Sequence, residues 1–111
     1  MKPWNVQYWL ETTTKNSIEY WMNKLTHEQL KSVKKEIELL KLYGNSLKMP
    51  HSKPLGKGIF ELRERRNGFR IYYCFQQDQI IVLLIAGDKA SQKNDILIAR
   101  QRFIHLSKNK L

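Results

Sequence analysis

Side chains that bind phosphate and transfer protons are concentrated in the second half of the 111-residue chain. Arginine suits a phosphate undergoing substitution, because its planar fork donates to two oxygens and never loses its charge. Lysine in a crowded cationic site becomes a candidate for proton transfer, since neighbouring cations lower its pKa. The candidate residues are Arg63, Arg70, Lys89, Lys93, Tyr72, His51 and Lys53.

The charge distribution also points to a polyanionic partner. Twenty basic and ten acidic residues give a formal net charge of +10. Residues 1–45 carry seven basic and five acidic side chains, whereas residues 46–111 carry thirteen and five. A charge of this size destabilises the folded state by self-repulsion unless a partner offsets it. We therefore expect the chain to bind nucleic acid or an acidic protein.

The length predicts a single domain over residues 1–111. Cys74 is the only cysteine, so no internal disulfide forms, which suits a reducing compartment. The longest apolar run, residues 80–86, is far shorter than the roughly 20 residues that a transmembrane helix needs. The N-terminal residues lack the apolar stretch of a signal peptide, so we expect a soluble cytoplasmic protein.

The elements that must position the candidate residues begin with a strand and two helices. Residues 4–10 are rich in aromatic and β-branched side chains, which favours a strand. Asn16 and Thr26 are predicted helix N-caps, each with a Glu or Gln three residues later. Gly44 is predicted to end the second helix, whose apolar side chains recur at steps of three and four. Residues 45–58 are predicted to be a loop.

Three strands and a helix complete the chain. The strands are predicted over residues 59–65, 69–76 and 79–86, with a two-residue turn at Asn67-Gly68 between the first two. The last helix is predicted to begin at a cap formed by Asn94 or Asp95. The order β-α-α-β-β-β-α predicts a small α+β fold, an antiparallel meander sheet with a helical hairpin packed on one face.

The alternation of strand 69–76 separates a candidate site from the core. Arg70, Tyr72 and Cys74 share one face of this strand. We expect that face to expose the guanidinium and the phenol together in mid-sheet. The opposite face is expected to contribute to the core with Phe69, Ile71, Tyr73 and Phe75.

Three blocks within residues 39–96 resemble the RelE/ParE toxin superfamily, in particular its phage-derived HigB-like toxins and addiction-module killer proteins. The first block holds a Met-Pro-His-Ser-Lys loop at 49–53, a Leu-Gly-Lys-Gly turn at 55–58 and Glu-Leu-Arg at 61–63. The second is Gly-Phe-Arg-Ile-Tyr-Tyr at 68–73. The third is Gly-Asp-Lys-Ala-Ser-Gln-Lys-Asn-Asp-Ile at 87–96. The order and spacing match, and the resemblance implies the RelE-like fold.

The resemblance implies a ribosome-dependent messenger RNA endonuclease, the toxin of a type II toxin–antitoxin pair. Such enzymes use the ribose 2′-OH to attack the adjacent phosphodiester, without a metal. Arg70 matches the family's catalytic arginine, and Lys89 matches a position where relatives place a catalytic basic residue. Arg63 and Lys93 are expected to bind phosphates near them. Implied partners are the ribosome, messenger RNA and a helix-turn-helix antitoxin encoded by the adjacent gene.

The remaining candidates have more than one interpretation. Tyr72 is expected to stack on a base or orient the 2′-OH, unless it is a half-buried strand tyrosine. His51 is either a catalytic proton shuttle near neutral pH or, like Lys53, a residue that touches ribosomal RNA or fixes their proline-bounded loop. Some relatives carry a catalytic tyrosine where this chain has Asp95, so the proton-transfer groups are not assigned.

Two alternatives to the nuclease are weighed. ParE-like members of the superfamily inhibit DNA gyrase without cutting RNA, and they tend to lack such a cluster of basic residues. The other alternative is a basic RNA-binding module without activity. The sequence holds no paired Cys/His set, no phosphate-binding glycine loop with Lys-Ser/Thr and no Gly-x-Ser-x-Gly motif, so neither a metal nor a nucleotide cofactor is expected.

Overall fold

Residues 2–108 are described by a computed structural model with five strands and three α-helices. The first half holds β1 (Asn5–Tyr8), α1 (Ser17–Asn23), α2 (His27–Tyr43) and a short 3-10 turn (Gly44–Ser46). The second half holds β2 (Ser52–Gly56), β3 (Ile59–Glu64), β4 (Phe69–Gln76), β5 (Ile80–Gly87) and α3 (Gln92–Lys108). The α+β fold class is confirmed. In residues 2–108 no helix combines the length and apolarity that a membrane crossing requires.

The helix boundaries in the first half are those that the capping residues predict. The Asn16 side chain accepts a hydrogen bond from the Glu19 N–H at 3.0 Å. Thr26 and Gln29 form a reciprocal capping box, in which each side chain accepts from the other's backbone N–H. Gly44 closes α2 with φ of 52°, and the Trp4 indole packs so tightly against it that a Cβ would lie 2.1 Å from the ring nitrogen. A glycine is needed there for both reasons.

The sheet is mixed, with strand order β1-β5-β4-β3-β2. Strands β2 to β5 are antiparallel neighbours, but β1 runs parallel to β5, with Asn5 opposite Ile80. The prediction of an antiparallel meander is therefore wrong for β1. It also missed β2, which lies inside the predicted loop 45–58. The segment contains two prolines and two glycines, which are typical of loops. A proline is tolerated in an edge strand because one side of that strand makes no hydrogen bonds to a neighbouring strand.

Two loop predictions are also corrected. Glu64 faces Phe69 across the ladder, so β3 and β4 are joined by four residues, 65–68, and not by a two-residue turn. The Glu64 carboxylate accepts from the N–H groups of Arg66 and Asn67 and fixes this loop. Helix α3 begins at Gln92, so Asp95 lies inside the first turn and does not cap it.

The sheet divides the core into two layers. On one face, α1 and α2 pack through Ile18, Met22, Val33 and Leu40 against the side chains of Leu62, Ile71, Tyr73, Ile81 and Leu83. This is the predicted helical hairpin on one face. On the other face, α3 packs through Ala99 and its apolar neighbours against Ile59, Tyr72, Cys74, Val82 and Leu84. Helix α3 therefore covers most of the sheet face that carries the candidate arginines.

Candidate active site

Arg63 and Arg70 are directly opposite each other on β3 and β4. The next strand places Gly87, the last residue of β5, beside Arg70. Paired positions in antiparallel strands bring their Cβ atoms to about 5 Å, so the two guanidiniums start from neighbouring points on one face. Hairpin geometry thus assembles two cations that the sequence shows seven residues apart.

A single buried carboxylate lies between the two arginines. The Glu61 side chain is only 3% exposed, and its Oε1 lies 3.6 Å from Arg63 Nε. Its Oε2 lies 3.6 Å from Arg70 Nε and accepts a hydrogen bond from Gln92 Nε2 at 3.0 Å. Buried carboxylates require such partners, since an unpaired buried charge is strongly unfavourable. Glu61 therefore joins β3, β4 and the first turn of α3 in one polar cluster.

The arginines keep donors available for a further ligand. Arg70 Nη1 donates to the Gly68 carbonyl oxygen at 3.0 Å, and Arg63 Nη1 lies 3.8 Å from the sulfur of Met49. The Nη2 atom of each guanidinium has no partner among residues 2–108. The side chains are 30% exposed at Arg63 and 13% exposed at Arg70. They line a cleft of about 240 Å³ together with Glu64, Arg65, Gly68 and Phe69.

Tyr72 is on the predicted face, but the expectation of an exposed phenol is wrong. Its exposure is 0%, because α3 covers this part of the sheet. The phenol oxygen is buried and makes no hydrogen bond of good geometry within residues 2–108. Burial raises the pKa of the Tyr72 phenol above its usual value, and the nearby carboxylates of Glu61 and Asp95 act in the same direction. A ring in this position offers no face for stacking on a base.

Lys89 and Lys93 are exposed and flank the start of α3. Lys89 follows Gly87 by two residues, in a turn where Asp88 and Ser91 exchange backbone-to-side-chain hydrogen bonds of 3.1 Å. Ser91 Oγ donates to Asp95 Oδ2 at 2.6 Å. A Cβ on Gly87 would lie 2.1 Å from that Asp95 oxygen, so only glycine lets the helix start this close to β5. The turn therefore holds Lys89 near the strand end that pairs with Arg70.

His51 belongs to a different environment. Its Nδ1 lies 2.9 Å from Glu36 Oε1 of α2, while its carbonyl oxygen accepts from the Arg63 N–H at 2.8 Å. The imidazole therefore contacts the α2 side, although the His51 backbone adjoins the arginine pair. Lys53 is exposed on the edge strand β2, opposite Glu61 in the ladder. The structure brings Arg63 and Arg70 together, places Lys89 and Lys53 at the margins, and directs His51 elsewhere.

A second cleft adjoins the arginine pair. It has a volume of about 510 Å³ and lies between α2 and the 65–68 loop. Lys31, Lys35, Arg65 and Arg66 line it. Three carboxylates also line it, and two of them are already engaged, since Glu36 pairs with His51 and Glu64 accepts from Ser32 Oγ at 2.7 Å, while Glu28 lies in the first turn of α2. Glu64 and Arg65 line both clefts, so the two adjoin, and their combined lining holds six basic side chains and three carboxylates.

Sequence reasoning missed Glu61 and Gln92. A signal for Glu61 was present, since a residue two positions before Arg63 on a strand shares its face. Gln92 lies in the third resemblance block, but the helix was predicted to begin after Asn94 or Asp95, so its place in the first turn of α3 was not foreseen. Among residues 2–108 no three His, Cys, Asp or Glu side chains converge as metal ligands would.

Comparison with solved structures defines the fold class. A free-state structure of a mutant Escherichia coli toxin RelE superposes with a TM-score of 0.66, covering 90% of this chain and 97% of RelE at 13% identity. A crystal structure of isolated E. coli RelE gives 0.55, covering 86% of this chain and 98% of that one, also at 13% identity. These two likenesses show that the chain has the RelE-like fold.

A family model assigns the chain more specifically than the fold does. The chain belongs to the phage-derived Gp49-like protein family (DUF891), whose model matches residues 20–104. An uncharacterised protein of Haemophilus influenzae is 31% identical over 93 residues, covering 82% of this chain and 90% of that protein. The putative toxin HigB3 of Mycobacterium tuberculosis is 32% identical over 94 residues, covering 77% and 82%.

Proposed function

We propose that the chain is the toxin of a type II toxin–antitoxin pair and acts as a ribosome-dependent messenger RNA endonuclease. The observation that carries the proposal is the pair Arg63 and Arg70, which face each other on β3 and β4. The Nη2 atom of each guanidinium makes no hydrogen bond within the described residues. The similarity to putative toxin HigB3 and the RelE-like fold support the toxin role.

The proposed reaction is an internal transesterification. A base removes the proton of the 2′-OH, and the 2′-oxygen forms a bond to phosphorus. The bond from phosphorus to the 5′-oxygen breaks, and an acid delivers a proton to that oxygen, which leaves a 2′,3′-cyclic phosphate and a 5′-OH. Arg63 and Arg70 each donate from Nη2 to a non-bridging oxygen and stabilise the extra charge of the phosphorane. Lys89, held beside the end of β5, is the proposed third catalytic residue, and Lys93 binds a flanking phosphate.

The proposed partners follow from the charge. The +10 chain concentrates its excess after residue 45, and the two adjoining clefts form a cationic surface suited to the RNA backbone. An antitoxin that neutralises the toxin is expected to cover this surface with acidic or apolar side chains. Association with either partner should be fast and should weaken steeply as salt rises.

Primer extension on a reporter message during tightly controlled induction tests the proposal. The wild-type chain should arrest growth and leave cleavage sites phased with codons. Arg70→Ala should abolish both, because removing a charged donor at a phosphorane costs about 10²–10³-fold in rate. Lys15→Ala is the charge-matched control, since its exposed side chain lies in the loop before α1, outside both clefts.

The outcomes separate the alternatives. Arrest that persists in Arg70→Ala would reject the assigned site. Arrest with intact messages and inhibited gyrase would favour a ParE-like toxin. Growth unaffected by the wild-type chain, with the folded protein present, would favour an inactive RNA-binding module.

A further inference from the structure

Glu61 is arranged as a shared ligand of the two arginines. Each of its oxygens faces a different guanidinium, with Oε1 toward Arg63 Nε and Oε2 toward Arg70 Nε, both at 3.6 Å. A carboxylate that only neutralised one arginine would place both oxygens against the same guanidinium. This one divides its oxygens between two strands and is held in turn by Gln92.

Without Glu61 the two arginines would be poorly defined. They are like charges at directly opposed strand positions, an arrangement that is destabilising in a sheet. Each has a long side chain that loses considerable rotamer freedom when fixed. In the structure the Glu61 carboxylate instead lies within ion-pair distance of both Nε atoms, Arg70 Nη1 donates to the Gly68 carbonyl oxygen, and Arg63 Nη1 lies 3.8 Å from the Met49 sulfur. The Nη2 atom of each guanidinium makes no such contact within residues 2–108 and is the group left for an incoming ligand.

We propose that Glu61 is a positioning residue that acts as an internal counter-anion, aligning Arg63 and Arg70 for one phosphate while competing with that phosphate for them. The role in cleavage rests on the proposed function, whereas the competition for phosphate does not. Gln92 supports the same role, because its amide fixes the Oε2 that serves Arg70.

This arrangement predicts opposite effects on binding and on cleavage. Removing the negative charge leaves both cations with a higher affinity for RNA phosphates. It also frees the guanidiniums to adopt rotamers that do not match the phosphorane, and small misplacements of a catalytic group are costly in rate. A residue needed only for folding would instead weaken binding and cleavage together.

Glu61→Gln provides the test, because it keeps the size of the side chain and an acceptor for Gln92. Binding is measured by fluorescence anisotropy with a 2′-O-methylated single-stranded RNA oligonucleotide, which lacks the attacking hydroxyl. We expect the dissociation constant to fall about threefold to tenfold, with a steeper dependence on salt. Cleavage of message on purified ribosomes, measured at saturating ribosome concentration, should be at least about tenfold slower.

Unchanged cleavage and binding in Glu61→Gln would overturn the proposal, as would weaker binding accompanied by a lower unfolding temperature. If Glu61→Gln does not fold, Gln92→Ala takes its place. It should slow cleavage about threefold at saturation without weakening RNA binding. Gln101→Ala on the exposed side of the same helix is the matched control and should leave both unchanged. Equal behaviour of the two glutamine variants would contradict the positioning role.

The two proposals fail separately. If the wild-type chain cuts no message, the endonuclease proposal is wrong, but tighter RNA binding by Glu61→Gln would still support the counter-anion. If the wild-type chain cuts message and Glu61→Gln cuts equally fast, the positioning role alone is rejected.

Discussion

Tyr72 and Tyr73 are adjacent on β4 and equally buried, but their hydroxyls have different partners. Tyr72 points under α3 and is 0% exposed, while Tyr73 points under α1 and α2 and is 1% exposed. The Tyr73 hydroxyl hydrogen-bonds to the buried Ser52 hydroxyl of β2. The Tyr72 hydroxyl makes no hydrogen bond of good geometry within residues 2–108. Replacing each tyrosine with phenylalanine therefore removes a hydrogen-bonded hydroxyl at Tyr73 and a hydroxyl without a well-formed hydrogen bond at Tyr72.

The structure gives the expected size of the difference. Tyr73→Phe loses a buried hydrogen bond and leaves Ser52 without that partner, so the free energy of unfolding should fall by about 1–2 kcal/mol. Tyr72→Phe loses no hydrogen bond of good geometry, only the proximity of the hydroxyl to the Glu61 carboxylate, and it relieves the burial of a polar atom. Its stability should therefore be unchanged or higher by up to about 1 kcal/mol. In a chain of this length 1 kcal/mol corresponds to roughly 4 °C, so the two melting temperatures should differ by about 4–12 °C.

Thermal unfolding at pH 7, followed by circular dichroism, measures the difference. An alkaline series adds a second readout. Burial raises the pKa of both phenols above the ordinary 10.0. The unfolded chain therefore loses these protons first, and stability falls as pH rises past about 10. Each phenylalanine variant should show a shallower alkaline decline. Equal destabilisation at pH 7 would refute the assignment of hydroxyl partners.

Two further predictions concern Asp95 and the second cleft. Burial raises the pKa of the Asp95 carboxyl in the folded chain. The protonated carboxyl therefore stabilises the folded state below about pH 3.8, and this stabilisation is lost as pH rises through the folded pKa. Urea unfolding from pH 4 to 6 should show Asp95→Asn gaining stability relative to wild type. A constant difference across that range would contradict this. Lys35→Glu should weaken RNA binding and lower the salt slope by about one, whereas Lys34→Glu on the opposite side of α2 should not. Equal weakening by both would show that net charge alone matters.

The parts of the fold that local chemistry determines were predictable. The N-caps of α1 and α2 were confirmed because Asn16 and Thr26 satisfy backbone N–H groups a few residues away. The division of β4 into two faces was also confirmed, since alternation is a property of the strand itself. Both inferences required nothing beyond neighbours in sequence.

The errors arose where distant segments decide the structure. β1 pairs with β5, about 75 residues later, and nothing in Asn5–Tyr8 specifies a parallel partner. Tyr72 was expected to be exposed because alternation identifies a face but not the helix that covers it. The start of α3 was misplaced because Asp95 has the side chain of a common N-cap, whereas in the structure Ser91 precedes the helix and bonds to both Asp88 and Asp95.

The same distinction applies to the candidate site. The individual arginines were recognisable, but their relationship depends on the four-residue loop, which sets the register that places Arg63 opposite Arg70. A one-residue shift would move one of them to the other face of the sheet. Opposed cations in turn need an anion between them, and the residue two positions before Arg63 is the one that the strand geometry supplies. Glu61 and the arginine pair therefore form one structural unit, so a variant at Glu61 should be judged by what it does to the two guanidiniums.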